Sequence, residues 1–153
     1  MPPWTTTDLP DLSGKTIVIS GANSGLGYQA ALALAGTGAH VVLACRDQAK
    51  GGAAEQQIRA VHPRASTALM ALDLASLADI HRFAGALRAA LPRLDVLMNN
   101  AGVGAAMNLT TPASDIAALT SEVDINLGGV IRMTSALIDI LTANRGTIIN
   151  VSS

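Results

Sequence analysis

The sequence predicts an α/β domain built as a doubly wound parallel sheet, and three observations carry that expectation. From Lys15 onward, short β-branched runs alternate with segments of helical spacing. Five such runs are separated by four helical segments, the pattern of a parallel sheet covered by helices on both faces. A glycine-rich turn joins the first run to the first helical segment. Right-handed crossovers then fix the hand of each strand-helix-strand unit. With half of its 153 residues hydrophobic, the chain has the apolar content of one domain with a sizeable core and too much for disorder.

The elements follow in order. The start, Met-Pro-Pro-Trp-Thr-Thr-Thr-Asp, has neither a basic region nor an apolar stretch of leader type. Residues 1–13 are expected to form a flexible arm and residues 14–153 the domain. The first strand is Thr16-Ile-Val-Ile-Ser20, and Leu26, Ala30, Ala33 and Leu34 then fall at i, i+4, i+7 and i+8 of a helix. Gly36 and Gly38 supply its stop. The second strand is His40-Val-Val-Leu-Ala44, followed by a segment that Asp47 could start as a helix. Thr67-Ala-Leu-Met-Ala-Leu72 is the third strand. Ser76 is an N-cap for a helix whose stripe is Leu77, Ile80, Ala84, Leu87 and Leu91. Leu94-Asp-Val-Leu-Met98 is the fourth strand, and Leu127, Val130, Ile131, Thr134, Ile138 and Leu141 mark a long helix before the fifth, Thr147-Ile-Ile-Asn-Val151. Near-continuous apolar runs of this kind suit strands buried on both faces.

Composition excludes several partners. Ten Lys plus Arg against eleven Asp plus Glu give a net charge of −1, so nucleic acid is not expected. No run approaches the ~20 consecutive apolar residues of a membrane span. Cys45, the single cysteine, forms no internal disulfide and is compatible with a reducing, cytoplasmic setting. His40, His62 and His81 are too widely spaced for a metal site, which is not expected. A Gly-x-Ser-x-Gly elbow is missing, and the glycine-rich turn lacks a P-loop ending. Arg82, Arg88 and Arg93 read as one solvated helix face.

The chemistry is expected at Ser20-Gly21-Ala22-Asn23-Ser24-Gly25-Leu26-Gly27, between the first strand and helix. Glycines there let the backbone turn sharply and approach a pyrophosphate, while the helix start offers free N–H groups to an anion. The plainer alternative is that they serve only a tight turn. Their spacing, Gly-x3-Gly-x-Gly, is followed in order by Asp73-Leu74, Asn99-Asn100-Ala101-Gly102, Asn126 and Asn150-Val-Ser-Ser153. With these segments the chain resembles the short-chain dehydrogenase/reductase family over nearly all of residues 14–153. Gly21 to Gly27 together with Ala44-Cys-Arg-Asp47 is similar to its retinol dehydrogenase-like branch.

The resemblance implies a Rossmann-type sheet, with five strands present and the family's C-terminal strands and helices missing. It also implies a dinucleotide held by Gly21, Asn23, Ser24, Gly25, Leu26 and Gly27. Asp73 would hydrogen-bond the adenine with Leu74 beside it, and Asn100, Ala101 and Gly102 would pass near the cofactor ribose. Read without the family, Asp73 could equally cap a strand-to-helix turn, and the Asn side chains could satisfy backbone groups at the strand end. Enzymes that use NAD tend to carry an acid at the end of the second strand. Here Arg46 stands there, and a guanidinium suits a 2′-phosphate, so NADP is expected. Asp47 beside it leaves NAD possible.

For catalysis the resemblance implies hydride transfer between the nicotinamide and a small carbonyl or alcohol. A Tyr acts as general acid or base, a Lys four residues later lowers its pKa, a Ser holds the substrate oxygen, and a helix Asn supports a water relay. Asn126 matches the Asn and Ser153 the Ser, with Ser152 as the fallback. No Tyr-x-x-x-Lys occurs: Tyr28 is followed four residues on by Leu32, and Lys15 and Lys50 are the only lysines. The expectation is therefore an oxidoreductase of this type represented by a truncated, cofactor-binding part without turnover. Its alternative is a non-catalytic dinucleotide-binding or interaction module. Without the family's later elements, Thr147 to Val151 is expected to be an exposed apolar edge prone to aggregation unless covered, and the long helix to lack a neighbour on one face.

Overall fold

The computed structural model describes residues 3, 5–102 and 116–151. Five parallel strands form one sheet in the order β3-β2-β1-β4-β5. They are β1 (Thr16–Ser20), β2 (His40–Cys45), β3 (Ser66–Ala71), β4 (Val96–Asn99) and β5 (Thr147–Asn150). The helices are α1 (Gly25–Ala35), α2 (Gln48–Val61), α3 (Leu77–Ala90), α4 (Ile116–Val123) and α5 (Gly129–Ala143). The expected Rossmann-type class and strand sequence are thus present, each strand within two residues of its expected limits.

Alternation along β1 divides the core into two layers. Val18 faces α3 and α5, in a cluster with Ile80, Phe83, Leu87, Met133 and Leu137. Ile17 and Ile19 face α1 and α2, with Ala31, Ala35, Ala54 and Ile58. Small residues on α1 and α2 bring those helices close to the sheet, while the larger side chains of α3 and α5 fill the other side.

Local signals explain the element ends. The Ser76 hydroxyl accepts a bond from the Asp79 amide at 3.2 Å and starts α3. Asp47 does the same for α2, its carboxylate accepting from the Lys50 amide at 3.0 Å. Gly38, at φ +84°, takes the left-handed conformation that lets the chain leave α1 for β2. Within the segment read as an arm, the Leu12 amide donates to the Thr37 carbonyl at 2.9 Å, and Leu12 packs against the α1–α2 core layer.

Three expectations need correction. Burial on both faces holds for β1 and β2 but not throughout: β3 is mostly half-buried, and β5, at the sheet edge, has no buried residue. Strand sequence alone does not encode position in the sheet. The stripe on the last helix is also displaced. The face toward the sheet is Gly129, Met133, Leu137 and Leu141, whereas Leu127, Ile131 and Ile138 are exposed. Arg93 is not on the face of α3, which ends at Ala90; it turns back to Asp95. Arg82 pairs with Asp79 on α3, and Arg88 donates to the Ala136 carbonyl of α5.

Asp95 fastens the lower end of the β1–β4 seam. Its carboxylate accepts from the Arg93 guanidinium at 2.7 Å, the Thr16 amide at 2.9 Å and Lys15 Nζ at 3.1 Å. The Arg93 contact first, then the Thr16 and Lys15 bonds, hold this carboxyl well below the usual carboxylate range against the opposing effect of burial. The helical run Thr120–Ala143 has a membrane-span length and a mean hydropathy of 1.3. Its inner face, Gly129, Met133, Leu137 and Leu141, packs on the sheet, while 22% of its apolar window is buried and Leu127, Ile131 and Ile138 stay exposed.

Candidate dinucleotide site

In an open sheet of this kind, ligands bind beyond the C-terminal strand ends where the strand order reverses. Here that point lies between β1 and β4, and a cavity of about 740 Å³ opens there. Gly21, Asn23, Ser24 and Leu26 line it from the β1–α1 turn, Arg46 from the end of β2, Asp73 and Leu74 from the end of β3. Asn100, Ala101 and Gly102 contribute from the end of β4, and Asn126 from the last helical run. Gly25 and Gly27 belong to the turn but not to the cavity wall. Ser153 and Ser152 lie outside the described residues.

The glycines of the turn have different duties. Gly21, at φ +68°, is pressed against β4: a Cβ there would lie 2.9 Å from the Ala101 Cα. A Cβ on Gly27 would lie 2.5 Å from the Gly21 carbonyl oxygen and would also strike the Asn100 amide. Both are therefore glycine because helix, turn and strand approach closely. Gly25, at φ +55°, has nothing within 4 Å of its Cβ position and leaves the helix start open. Ser24, the N-cap of α1, makes no side-chain cap bond. The first amides of α1 consequently remain available to an anion.

Ser20 and Asn100 hold this turn in place. The buried Ser20 hydroxyl accepts from the amides of Asn100 and Ala101, each at 3.0 Å. In return, Asn100 Nδ2 donates to the carbonyls of Ser20 at 3.1 Å and Gly21 at 3.4 Å. Asn99 points the other way, donating to Asn150 Oδ1 at 2.9 Å and Thr134 Oγ1 at 3.2 Å. Both Asn side chains thus serve neighbouring strands and helices. Asp73 likewise shapes a turn, accepting from the Ala75 amide at 3.0 Å. Leu74 is wedged beneath Gly129, whose Cβ would lie 3.0 Å from the Leu74 Cβ.

Charge collects at the end of β2. Ala44 and Cys45 are buried, and Arg46, just past the end of β2, is exposed. Asp47 is occupied as the α2 cap, and the Lys50 amide against it lowers its carboxyl below the ordinary value. Burial pushes the Cys45 thiol up, partly offset by the Ala22 and Asn23 backbone. Lys50, one turn into α2, is a wall residue that the sequence reading missed; its ammonium lies 3.7 Å from Asp47. A cation four positions beyond Arg46 on a helix starting at Asp47 was its available signal. In sequence Ser20 is simply the start of the turn, and its clamp depends on Asn100 at the end of β4, 80 residues away.

A family described as short chain dehydrogenase matches residues 15–153. Human retinol dehydrogenase 13 is 38% identical over 143 residues, covering 93% of this chain and 42% of that protein. Human dehydrogenase/reductase SDR family member 13 is 50% identical over 93 residues, covering 61% of this chain and 25% of the relative. Among solved structures, a metagenomic short-chain oxidoreductase in complex with NADP superposes with a TM-score of 0.83 at 37% identity, covering 94% of this chain and 64% of that one. The chain therefore spans less than two thirds of the length of each.

Proposed function

The chain belongs to the short-chain dehydrogenase family, and on that premise we propose that residues 14–153 hold NADP as the cofactor-binding part of a carbonyl- or alcohol-directed oxidoreductase. The convergence of the β1–α1 turn with the ends of β2, β3 and β4 on one cavity carries this reading. The donor set fits a dinucleotide: uncapped amides at the α1 start for a pyrophosphate, a hydroxyl at Ser24, and cations at Arg46 and Lys50. Bound there, the nicotinamide would supply or accept the hydride.

The residues divide the remaining work. The α1 amides and the Gly25 gap take the pyrophosphate, while Asp73 and Leu74 form the wall expected beside the adenine. Arg46 reaches a 2′-phosphate, and because Asp47 is spent on capping α2, its charge competes less for that guanidinium. In the order of motifs along the sequence, Asn126 matches the family's relay Asn and Ser153 its substrate-binding serine. Residues 1–153 contain no Tyr-x-x-x-Lys. Loss of a placed general acid or base costs roughly 10²–10⁴ in rate. These residues are therefore read as the dinucleotide-binding module of such an enzyme, with the general acid or base not among residues 1–153.

Titration with NADPH and NADH tests the reading. NADPH should bind more tightly, and Arg46→Asp should remove that preference. Two unit charges about 4 Å apart interact by about 4 kcal/mol near a protein surface, and a third of that already amounts to about tenfold. Equal losses for both cofactors would remove the 2′-phosphate assignment. NADPH consumption with added aldehydes or ketones should stay at the buffer rate; turnover by this chain would overturn the view of it as a binding module.

A further inference from the structure

The last helical run is not regular. Between α4 and α5 the chain makes a π turn, Asp124–Gly128, in which the Gly129 amide reaches the Asp124 carbonyl as well as that of Ile125. Asn126 sits at its centre. A Cβ on Gly102 would lie 3.2 Å from Asn126 Oδ1, so this amide lies over the end of β4 at the cavity wall.

One ion pair spans the turn. Arg132 Nη2 donates to Asp124 Oδ1 at 2.7 Å and Nη1 to Oδ2 at 3.2 Å, a bidentate contact between residues eight apart. In a regular α-helix, residues eight apart are separated by about 80° around the axis. The residue added by a π turn takes out about 100°, which brings the two positions to within about 20°, on one face. The pair is thus matched to the π turn and would be broken by a return to regular helix. It closes over Gly128, where a Cβ would lie 2.7 Å from Asp124 Oδ1 and 3.2 Å from Arg132 Nη1.

We propose that Asp124 and Arg132 are positioning residues whose clasp over Gly128 holds the π turn and so sets the Asn126 amide at the cavity wall. The functional consequence rests on the dinucleotide reading of the cavity; the clasp can be tested without a cofactor. Side-chain amide NMR of the full chain, free and with NADPH, compares wild type with D124N, R132Q, G128A and the exchanged pair D124R/R132D. Both single charge variants should move the Asn126 side-chain resonances and weaken NADPH binding about 2- to 5-fold, as expected for losing a half-exposed ion pair.

The exchanged pair should return the Asn126 resonances toward wild type. G128A is the sharper variant, because Ala at an ordinary helix position is favoured over Gly. Here the added Cβ displaces the Asp124 carboxylate and should reproduce D124N at Asn126. Unchanged Asn126 resonances in D124N and R132Q, with the rest of the spectrum intact, would overturn the proposal, as would shifts that the exchange does not reverse. If wild type binds neither NADPH nor NADH, the dinucleotide reading falls and the Asn126 resonances alone decide the clasp.

Discussion

β1 and β5 are written almost alike, Thr16-Ile-Val-Ile-Ser20 and Thr147-Ile-Ile-Asn150, and end in opposite environments. Every residue of β1 is buried and none of β5 is. β1 pairs with strands on both sides and is packed by helices on both faces, whereas among the described residues β5 pairs with β4 alone. The difference teaches that a β-branched run specifies a strand, while its burial is set by its rank in the sheet order. The candidate cavity lies at the C-terminal end of the strand with the most support.

The largest effect should separate the two strands directly. Ile19→Ala removes a fully buried side chain and should cost about 2–5 kcal/mol of unfolding free energy. Ile149, 39% exposed, should lose less than about 1 kcal/mol on the same change. Urea unfolding at several protein concentrations measures both. Equal losses, or a loss at Ile149 that grows with concentration, would show that β5 is covered in solution and would break the comparison.

Asp95 probes where the supported half meets the open one. Its carboxylate joins Thr16 of β1 to Arg93 and Lys15, and its side chain is only 7% exposed. Asp95→Ala should cost about 2 kcal/mol, as expected for hydrogen bonds to a charged group. Because its folded pKa is depressed, the contribution is fully present above the unfolded value near 3.9 and is lost as pH falls below it. Stability against pH should therefore drop less steeply in acid for the variant than for wild type. Parallel curves would remove Asp95 from the seam.

The parts of the molecule that were legible share a cause. Gly38, Ser76 and Arg46 declare themselves locally, through a turn, a cap or a charge at a strand end, whereas Gly21 and Gly27 are held by contacts with Ala101 and Asn100. The Asn99–Asn150 bond, the Ser20 clamp and the inner face of α5 depend on elements brought together from far along the chain. The inner face of α5 was hidden for a further reason: apolar residues run along two faces of this helix, and Leu127, Ile131 and Ile138 form the exposed one while Met133 and Leu137 face the core. Lys50 reaches the cavity from the first turn of α2, and only the direction of that helix relative to the strand ends, which sequence does not carry, brings it there.

A smaller effect is expected at the open edge. Ile149→Lys together with Val151→Lys places charge on residues 39% and 38% exposed, and should change unfolding free energy by no more than about 0.5 kcal/mol. The same change should lower concentration-dependent light scattering, because charge on an edge strand opposes edge-to-edge pairing. Unaltered scattering would mean that association, where present, uses another surface.

The smallest expected effect lies beside the well-supported strands and separates two duties of one residue. Asp47 caps α2 through the Lys50 amide and also places a carboxylate on the cavity wall next to Arg46. Asn caps a helix about as well as Asp, so Asp47→Asn should leave the melting temperature unchanged within error. It removes the negative charge, so NADPH should bind about twofold more tightly and NADH about as before, the direction set by repulsion between a carboxylate and a 2′-phosphate. A fall in melting temperature would mean that charge, rather than hydrogen bonding, starts α2. A gain shared by both cofactors would place the relieved repulsion at the pyrophosphate, and with it move the phosphate-reading function from the end of β2 to the start of α1.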